Sequence, residues 1–411
     1  MRIAFIVSSL EPGRDGVGDY TRRLAAECNR QGHPIVILAL NDVRVLGDAL
    51  FESQEVEGIS VSVLRLPSDM ALSERVTTAR RWLGSFKPDW ISLQFVCYGY
   101  HPKGLAWRWS RVFAELGTLA THRHLMFHEL WIGEEGYSTS WRRLIGVGQR
   151  FIIRNMHQRF NPDIATTSMS LFQRRLAYQG ITTRVLPLFG NFPLVPRDDD
   201  RIAGLLRDVG SQIVRKPRMA FLNGIFVGGV HPDFDTGPLI QWLKELKSQA
   251  TKPLLLSLVG RTGPAGQRLV RQLTSSLPDE FEAILVGEQP AQIISQALQF
   301  ADFGINTGSP EFLGKSGTFA AMQEHELPVV LADGGLDPAL LQDNCPAVLQ
   351  FSSSDSTAAV LERQVRRHEV TGVIRTATDL IRLFEKKAPN PSERGVSIDR
   401  ATNASSFKGI A

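Results

Sequence analysis

The sequence predicts an α/β protein of two Rossmann-like, doubly wound domains that face each other across a cleft. Short apolar runs bounded by Gly, Pro or Asp alternate with stretches of helical period, as in parallel strands covered by crossover helices. The alternation stops at a charged, proline-flanked stretch between Pro193 and Pro217 and then starts again. The chain of 411 residues also exceeds the roughly 100 to 200 residues of an average domain.

This alternation sets the expected domain boundaries. We expect a first domain over residues 1–195, a linker over 196–216 and a second domain over 217–370. We expect a C-terminal helix over residues 371–388 that crosses back to the first domain. Residues 389–411 lack periodicity, which predicts a disordered tail.

Each predicted strand is a short apolar run. In the first domain the runs are Arg2–Ser8, Pro34–Leu40, Ile59–Leu66, Asp89–Phe95, Arg123–Phe127, Asp163–Thr167 and Arg184–Leu188. In the second domain they are Met219–Asn223, Leu254–Gly260, Glu282–Val286, Asp302–Asn306 and Pro328–Leu331. Open α/β sheets hold ligands at the carboxyl ends of their strands, so we expect the functional site at that edge.

Composition excludes several classes of protein. With 43% hydrophobic and 21% charged residues, the chain can bury full cores. A net charge of only +4 does not indicate an extensive nucleic-acid-binding surface, so no nucleic acid is expected as a partner. No apolar run reaches the ~18 residues of a membrane span. The distant cysteines Cys28, Cys97 and Cys345 indicate a reducing, cytoplasmic location rather than a disulfide framework.

The charge is uneven along the chain. Residues 1–195 carry 23 Lys and Arg against 17 Asp and Glu, a net +6, whereas the remainder has a net −2. The excess is densest over residues 136–162, which contain no acidic residue. The basic residues there are Arg142, Arg143, Arg150, Arg154 and Arg159. Two interpretations remain open: a solvated helix face above an ordinary buried stripe, and a peripheral contact with an anionic polymer or with the inner face of a membrane.

A glycine loop, EPGRDGVGDY, follows the first predicted strand and opens the first helix. Gly13, Gly16 and Gly18 permit close backbone approach, and a helix N-terminus offers free N–H groups to an anion. The spacing G-x-x-G-x-G differs from the dinucleotide fingerprint G-x-G-x-x-G, which disfavours a nicotinamide cofactor. A merely tight turn is the alternative interpretation.

Two polar clusters follow later strands of the first domain. One is QFVCYGYHPKG, which contains His101, and the other is HLMFHELWIGEE, which contains His128, Glu129 and Trp131. An imidazole followed by a carboxylate offers a general base or a positioned hydrogen-bond partner for a hydroxyl. We therefore take His128 as a candidate catalytic residue and His101, Glu129 and Trp131 as candidate cleft or acceptor residues. A structural role for His128 is the alternative.

No metal site is expected. His122, His124 and His128 point to one face of a strand, but alternate residues of a strand lie ~6.5 Å apart, so the three rings cannot converge on one ion.

The informative stretch of the second domain is FADFGINTGSPEFLGKSGTFAAMQEHELPVV. A predicted strand runs into a polar glycine loop and then into a helix that starts near Gly317 and directs N–H groups at an anion. The tripeptide GKS is not part of a P-loop, because Gly308 and Gly314 are separated by one residue more than that motif allows. Nucleoside-triphosphate hydrolysis is therefore disfavoured.

These motifs resemble those of the GT-B glycosyltransferases, specifically retaining family 4. The resemblance spans roughly residues 1–387. The glycine loop and the helix ending RQGHPIVIL resemble the family's first motif, VLPLFGNFP with Asn191 resembles its cleft segment, and EFLGKSGTFAAMQEHELPVV resembles its signature E-G-F-G-L-P-x-x-E-A-M-A-x-G-x-P-V-V. The resemblance implies transfer of a sugar from a nucleotide-diphosphate sugar to an acceptor hydroxyl, with retention and with neither a metal ion nor another cofactor.

The resemblance also implies residue roles. Glu311 matches the glutamate that contacts hydroxyls of the donor sugar, and His128 matches a histidine beside that sugar. Gly317 and Thr318 fall at the helix start that faces the diphosphate. The full set of expected donor-binding residues is Gly16, Gly18, Arg261, Gly314, Lys315, Ser316, Gly317 and Thr318. The expected catalytic residues are His128 and Glu311, and Asn191 is expected in the cleft.

Two departures from the family pattern weaken the expected donor site. The second glutamate of the signature, which would hold the ribose, is Phe319 here, and Glu324 lies five residues further along the helix. The Arg and Lys that clamp the diphosphate are missing as well, which leaves Lys315 or Arg261 as replacements. Two alternatives therefore stay open. One is a catalytically degenerate GT-B protein with a binding or regulatory role, and the other, ranked lower, is an epimerase or phosphorylase of the same fold.

Overall fold

The computed structural model describes residues 1–134, 139–231, 234–277, 280–308, 310–331, 348–350, 354–362 and 372–387. For residues 310, 311, 348–350, 354–356 and 359 it describes the backbone only. The predicted tail, 389–411, and Cys345 lie outside the described residues. The described residues form an α/β structure with two largely parallel sheets, which confirms the predicted fold class.

The first domain is an eight-stranded sheet. Its strands are β1 (Ile3–Val7), β2 (Ile35–Asp42), β3 (Leu50–Val56), β4 (Ile59–Pro67), β5 (Trp90–Phe95), β6 (His122–Phe127), β7 (Ile164–Thr167) and β8 (Arg184–Val185). Its helices are α1 (Gly16–Arg30), α2 (Leu72–Phe86), α3 (Trp109–Gly117), α4 (Ser140–Phe160) and α5 (Ser170–Ala177). The strand order is β3-β4-β2-β1-β5-β6-β7-β8, and all neighbours are parallel except β3, which pairs antiparallel with β4.

The central strand β1 shows why the runs are continuously apolar. Ile3, Phe5 and Val7 pack into the apolar cluster that contains α1, whereas Ala4 and Ile6 pack into the cluster on the opposite face of the sheet. Because side chains alternate between two buried faces, every position of a covered parallel strand favours an apolar residue.

The second domain is a six-stranded parallel sheet in the order β11-β10-β9-β12-β13-β14. Its strands are β9 (Leu222–Val227), β10 (Leu254–Val259), β11 (Phe281–Gly287), β12 (Phe303–Asn306), β13 (Val329–Leu331) and β14 (Val348–Gln350). The helices from here to the end of the described chain are α6 (Asp199–Asp208), α7 (Gly237–Ala250), α8 (Gly263–Ser276), α9 (Ala291–Phe300), α10 (Gly317–Glu324), α11 (Ser354–Leu361) and α12 (Val373–Lys387).

Three strands differ from the sequence prediction, and one of them is β14, for which no strand was predicted. β3 was not predicted, because its sequence, LFESQEV, is half charged or polar and pairs only at the sheet edge. β9 begins at Leu222 rather than Met219, since Leu222 pairs with Leu254 of β10 and Met219 is exposed. Gly224 lies inside β9 for a packing reason: a Cβ there would be 2.5 Å from the ring of Phe303.

The predicted linker packs as part of the second domain. Ile202 and Leu206 of α6, together with Ile213 and Val214, are buried in the same apolar cluster as α9. Residues 196–216 are therefore not a free connection, because α6 is amphipathic and covers one face of the second sheet.

The chain crosses between the domains at Gly190. The guanidinium of Arg23 in α1 donates to the Gly190 carbonyl, and Glu324 of α10 accepts a 2.8 Å hydrogen bond from the Gly190 N–H. A Cβ at position 190 would lie 2.7 Å from Cα of Ala321. One glycine thus connects a helix of each domain at close range.

The last described helix, α12, returns to the first domain. Phe384 stacks on Trp90 of β5 with ring centroids 4.0 Å apart and planes 4° from parallel. Ala377, Leu380 and Phe384 are fully buried in the same cluster as α1.

We expect Phe384→Ala to lower the free energy of unfolding of the first domain by about 3–5 kcal/mol, because it removes a buried ring and leaves a cavity beside Trp90. The measurement is urea unfolding followed by tryptophan fluorescence. Ile374→Ala is the matched control on the same helix, since Ile374 is exposed, and it should change stability by less than about 0.5 kcal/mol. Equal effects of the two substitutions would contradict the packing of α12.

Candidate functional site

A cavity of about 540 Å³ lies between the domains at the carboxyl ends of the first sheet. Most of its wall belongs to the first domain, and Lys315 and Gly317 come from the second. The lining residues are Ser8, Ser9, Arg14, Asp15, Gly16, Val17, Tyr20, Asn41, Val43, Arg44, Val96, Tyr98, Gly99, His128, Glu129, Leu188, Asn191, Lys315 and Gly317. The cavity is thus at the edge where the sequence predicts the site.

The glycine loop forms one wall of the cavity. The Asp15 carboxylate caps α1 by accepting hydrogen bonds from the N–H groups of Val17, at 2.9 Å, and Gly18, at 2.8 Å. Burial raises the pKa of Asp15 above its ordinary value. Asp15 therefore already uses two of the N–H groups that were expected to face a ligand, whereas the predicted residue Gly16 lies in the cavity wall. Gly18 has a packing role instead, since a Cβ there would lie 2.7 Å from the Ser9 carbonyl oxygen.

His128 lies in the cavity wall just after β6 and is almost completely buried. Its Nε2 is 2.8 Å from Oε1 of Gln94, and the Tyr20 ring meets it edge-on at 5.0 Å. Burial lowers the pKa of His128 to about 3, so the ring is neutral near pH 7. An amide oxygen only accepts hydrogen bonds, so Nε2 carries the proton and Nδ1 is left as an acceptor.

A buried hydrogen-bond chain fixes the orientation of Gln94. Its Nε2 donates to Oγ of Ser92 at 2.7 Å, Ser92 Oγ is 2.7 Å from Nδ1 of His124, and His124 Nε2 is 2.9 Å from Oγ1 of Thr166. Burial lowers the pKa of His124 to about 3 as well. The neutral state of both rings lets each one donate at one nitrogen and accept at the other, which satisfies the chain.

The second domain contributes a cation to the cavity. Nζ of Lys315 lies 3.0 Å from Oε1 of Glu129, in an ion pair that crosses the cleft and leaves both side chains about a third exposed. The predicted cleft residue Glu129 and the predicted donor-binding residue Lys315 are thus partners. An anionic ligand that enters the cavity can replace Glu129 as the partner of Lys315.

Helix α10 begins beside that lysine. Ser316 caps it by accepting a 3.2 Å hydrogen bond from the N–H of Phe319, and Gly317 lies in the cavity wall. A Cβ at Gly317 would be 2.4 Å from Oδ1 of Asn191, so only glycine lets this helix start reach the crossing segment. Gly314 has a different role, since it packs against Met169 of the first domain.

A second charged cluster joins the domains beside the glycine loop. Glu288 forms ion pairs with Arg14 of the first domain, at 3.3 Å, and with Arg261 of the second, at 3.4 Å. Arg261 also donates to the Gly13 carbonyl at 2.8 Å. Arg261, which was predicted to bind the donor, lies at the domain junction but not among the residues that line the cavity, whereas Arg14 lines the cavity and was not predicted.

Solved structures similar to this chain cover nearly all of it. HepE from Anabaena, in complex with UDP-glucose, is 16% identical over 94% of this chain and 100% of its own, with a TM-score of 0.57. The catalytic domain of starch synthase IV from Arabidopsis thaliana, bound to ADP and acarbose, is 15% identical over 94% and 99%, with a TM-score of 0.52. The chain has the GT-B fold.

The GT-B fold is shared by proteins of different activity. UDP-GlcNAc 2-epimerase from Methanocaldococcus jannaschii is 9% identical over 94% of this chain and 100% of its own, with a TM-score of 0.50. No protein-family model matches the sequence, and no curated protein matches it. Similarity at these levels of identity shows the fold.

The predicted residues Gly18, Arg261, Gly314 and Ser316, described above, do not line the cavity, and three further predicted residues also lie outside its wall. Nδ1 of His101 accepts from the backbone N–H groups of Lys103 and Leu105, both at 3.1 Å, so His101 shapes a turn. Trp131 is buried in the core of the first domain and donates from Nε1 to Glu134. Thr318 lies in the first turn of α10 near Gly228, outside the residues that line the cavity.

The structure places the signature residues of the second domain in different positions. The backbone of Glu311 lies in a 3-10 helix, Pro310–Lys315, and its side chain is outside the described residues. Phe319, at the position of the second signature glutamate, is buried in the core of the second domain. Glu324 does not replace that glutamate, because its carboxylate binds the Gly190 N–H away from the cavity. Burial raises the pKa of Glu324.

Sequence reasoning missed several residues of the cavity wall. Arg14 and Asp15 lie within the glycine loop, and an Asp directly before a helix is a recognisable N-cap signal. Asn41 lies in the last part of β2 and Arg44 follows this strand, whose end is a strand end like those already considered.

Neither a group of metal ligands nor a membrane-spanning helix is present among the described residues. In the ranges given above, no three His, Cys, Asp or Glu side chains are grouped to hold a metal ion. Of the helices that the structure describes, none is long and apolar enough to cross a membrane.

The two buried histidines predict a pH dependence of stability. The pKa of each is about 3 in the folded protein and about 6.5 when unfolded, so neither state is protonated above pH 6.5. As the pH falls from 6.5 toward 3, the unfolded chain binds two protons that the folded chain excludes, and stability decreases by about 1.4 kcal/mol per pH unit for each histidine. Urea unfolding over this range measures the slope. His128→Gln should reduce it by about 1.4 kcal/mol per pH unit, and an unchanged slope would show that His128 is not buried as a neutral ring.

Proposed function

We propose that this protein is a glycosyltransferase that moves a sugar from a nucleotide-diphosphate sugar to an acceptor hydroxyl. The observation that carries the proposal is a cavity between two GT-B domains in which a neutral, buried imidazole faces a lysine and a helix start of the opposite domain. Relatives in fold that bind UDP-glucose and ADP support a nucleotide-sugar donor.

The donor diphosphate is proposed to bind on the second-domain side of the cleft. Lys315 and the N–H groups at the start of α10 supply positive charge there, and Arg261 extends it toward the first domain. These groups stabilise the charge that develops on the leaving diphosphate, which is the task that a metal ion performs in other transferases. We therefore propose transfer without a metal ion or other cofactor.

In the proposed reaction the acceptor oxygen attacks the anomeric carbon of the donor sugar. The bond between that carbon and the diphosphate oxygen breaks, its electron pair stays on the diphosphate, and the hydroxyl proton of the acceptor passes to the leaving diphosphate oxygen. Neutral His128 accepts a hydrogen bond from a sugar hydroxyl at Nδ1, and Gln94 keeps the ring in the tautomer that can do so. The resemblance to family 4 implies that Glu311 orients the donor and that the anomeric configuration is retained.

A second candidate function is a GT-B protein that binds without catalysing transfer. Phe319 favours it, because a core phenylalanine occupies the position from which the family's glutamate would hold the ribose. The two candidates differ in nucleotide binding, which the next prediction measures. An epimerase is tested in the same samples by looking for an altered nucleotide sugar.

Lys315→Ala should weaken binding of the preferred nucleoside diphosphate by about 10- to 100-fold, because it removes one charge-assisted hydrogen bond worth about 1.5–3 kcal/mol. Isothermal titration with UDP, GDP and ADP is the measurement. Lys386→Ala, at the exposed end of α12, is the control and should leave the affinity unchanged. No binding of any of the three nucleotides to the unaltered protein would favour the non-catalytic candidate.

His128→Ala should weaken binding of the nucleotide sugar by about tenfold, since it removes a hydrogen bond to the sugar. It should leave the affinity for the matching nucleoside diphosphate unchanged. Gln94→Leu should cause a smaller loss in the same direction, because the ring remains but its tautomer is no longer fixed. His101→Ala is the control, as His101 lies in a turn outside the cavity wall. Equal losses for sugar-bearing and sugar-free nucleotides would refute the role of His128.

A further inference from the structure

Helix α4 has an apolar side that none of the described residues covers. Ile153 and Met156 are buried in the core of the first domain, and Ile152 is buried as well. On the opposite side, four large apolar residues recur every three or four positions and are 53–61% exposed. These residues are Trp141, Leu144, Val147 and Phe151. Trp107, itself half exposed, extends this surface, because its ring lies 5.3 Å from that of Phe151. We call these five residues the α4 surface.

A helix of a globular protein normally has one apolar stripe, which faces the core. A second stripe on the solvent side indicates a binding surface, because scattered exposed apolar residues would not be aligned along one helix. Helix α4 thus has a buried apolar stripe and a second, exposed one, and the exposed stripe favours the interpretation of the basic segment as a contact surface.

The α4 surface is bordered by positive charge. Arg143 and Arg154 are exposed on α4, and Nζ of Lys103 lies 5.4 Å from the centre of the Trp141 ring. Neither residues 101–111 nor residues 139–161 include an acidic residue. The carboxylate of the neighbouring Glu134 forms ion pairs with Arg150, at 3.3 Å, and with Arg175, at 3.1 Å.

We propose that the α4 surface docks peripherally on an anionic lipid bilayer. A helix that lies in the headgroup region typically carries tryptophan, leucine and phenylalanine next to arginine and lysine. Its apolar side chains enter the boundary of the acyl chains, and its cations contact the lipid phosphates. A second copy of this chain fits less well. A two-fold dimer would set the arginine border against itself, and like charges repel.

The α4 surface is connected to the cavity through the opposite side of the same helix. Gln149 of α4 donates a 3.0 Å hydrogen bond to the hydroxyl of Tyr98, and Tyr98 lines the cavity together with Glu129. Docking through α4 would thus hold the cavity beside the bilayer. This step rests on the transferase function proposed above. If the cavity transfers a sugar while it lies beside the bilayer, its acceptor is a hydroxyl compound that is anchored in the membrane.

The test is flotation of the full-length protein with phosphatidylcholine vesicles that contain or lack phosphatidylglycerol. We expect binding only to the anionic vesicles, and release at high salt because the headgroup attraction is screened. Arg143→Glu with Arg154→Glu should weaken binding by at least about 25-fold, since each arginine near an anionic surface contributes about fivefold. Leu144→Ser with Phe151→Ser should also abolish flotation while leaving the arginines in place.

Matched controls lie on other surfaces of the protein. Arg207→Glu with Arg271→Glu makes the same change in net charge on the second domain, and Tyr178→Ser with Met219→Ser removes two other exposed apolar residues. Both control pairs should float like the unaltered protein, and thermal melting verifies that every variant is folded.

Three outcomes would overturn the proposal: no flotation with anionic vesicles, equal flotation with neutral ones, or a dimer in solution that Leu144→Ser with Phe151→Ser converts to a monomer. The last outcome would identify the α4 surface as an interface between copies. Flotation needs no nucleotide, so its failure is distinguishable from failure of the transferase proposal, which the nucleotide titrations measure.

Discussion

The structure depends on the fit of the chain at Gly190, where it passes from the first domain to the second. Arg23 of α1 holds the carbonyl of this residue and Glu324 of α10 holds its N–H, so the backbone is bound from both sides. The same two helices begin at the cavity, with Asp15 and Gly317. Because a helix is rigid over this length, fixing α1 and α10 at the crossing also fixes the distance between the two cavity walls. The return of α12 to the first domain adds a second connection that opposes separation of the domains.

The charges of the cleft are balanced across the domain boundary. Lys315 of the second domain pairs with Glu129 of the first, and Glu288 of the second domain pairs with Arg14 of the first. These pairs are partly exposed, so each contributes little to stability and exchanges readily for another anion. The net charges of the two halves of the sequence, +6 and −2, therefore say little about the cleft. A phosphate group meets local cations, whereas the average field of the second domain is unfavourable.

Much of the site was predictable because it lies at strand ends. His128 and Glu129 were predicted, since polar residues that follow buried strands must meet at the carboxyl edge of a sheet, whereas Lys315 was predicted from the resemblance to family 4. His101 is equally polar and near a strand end, yet its ring is used by two backbone N–H groups. Asp15 was missed because it was read as part of a loop rather than as the cap of α1. The roles of His101 and Asp15 depend on their hydrogen bonds to nearby backbone N–H groups, and the spacing of residues in the sequence does not show these bonds.

By itself, the sequence determined the fold class, the position of the cavity and the location of the basic segment, because buried strands and glycine turns leave a local pattern in the chain. Only the tertiary structure decided which apolar residues of α4 enter the core: Ile152 is buried, while Phe151 beside it is exposed. It also decided that His128 is neutral, since the chain of buried partners behind it comes from three different strands. Burial and partner choice depend on residues far apart in sequence, and the folded chain alone brings them together.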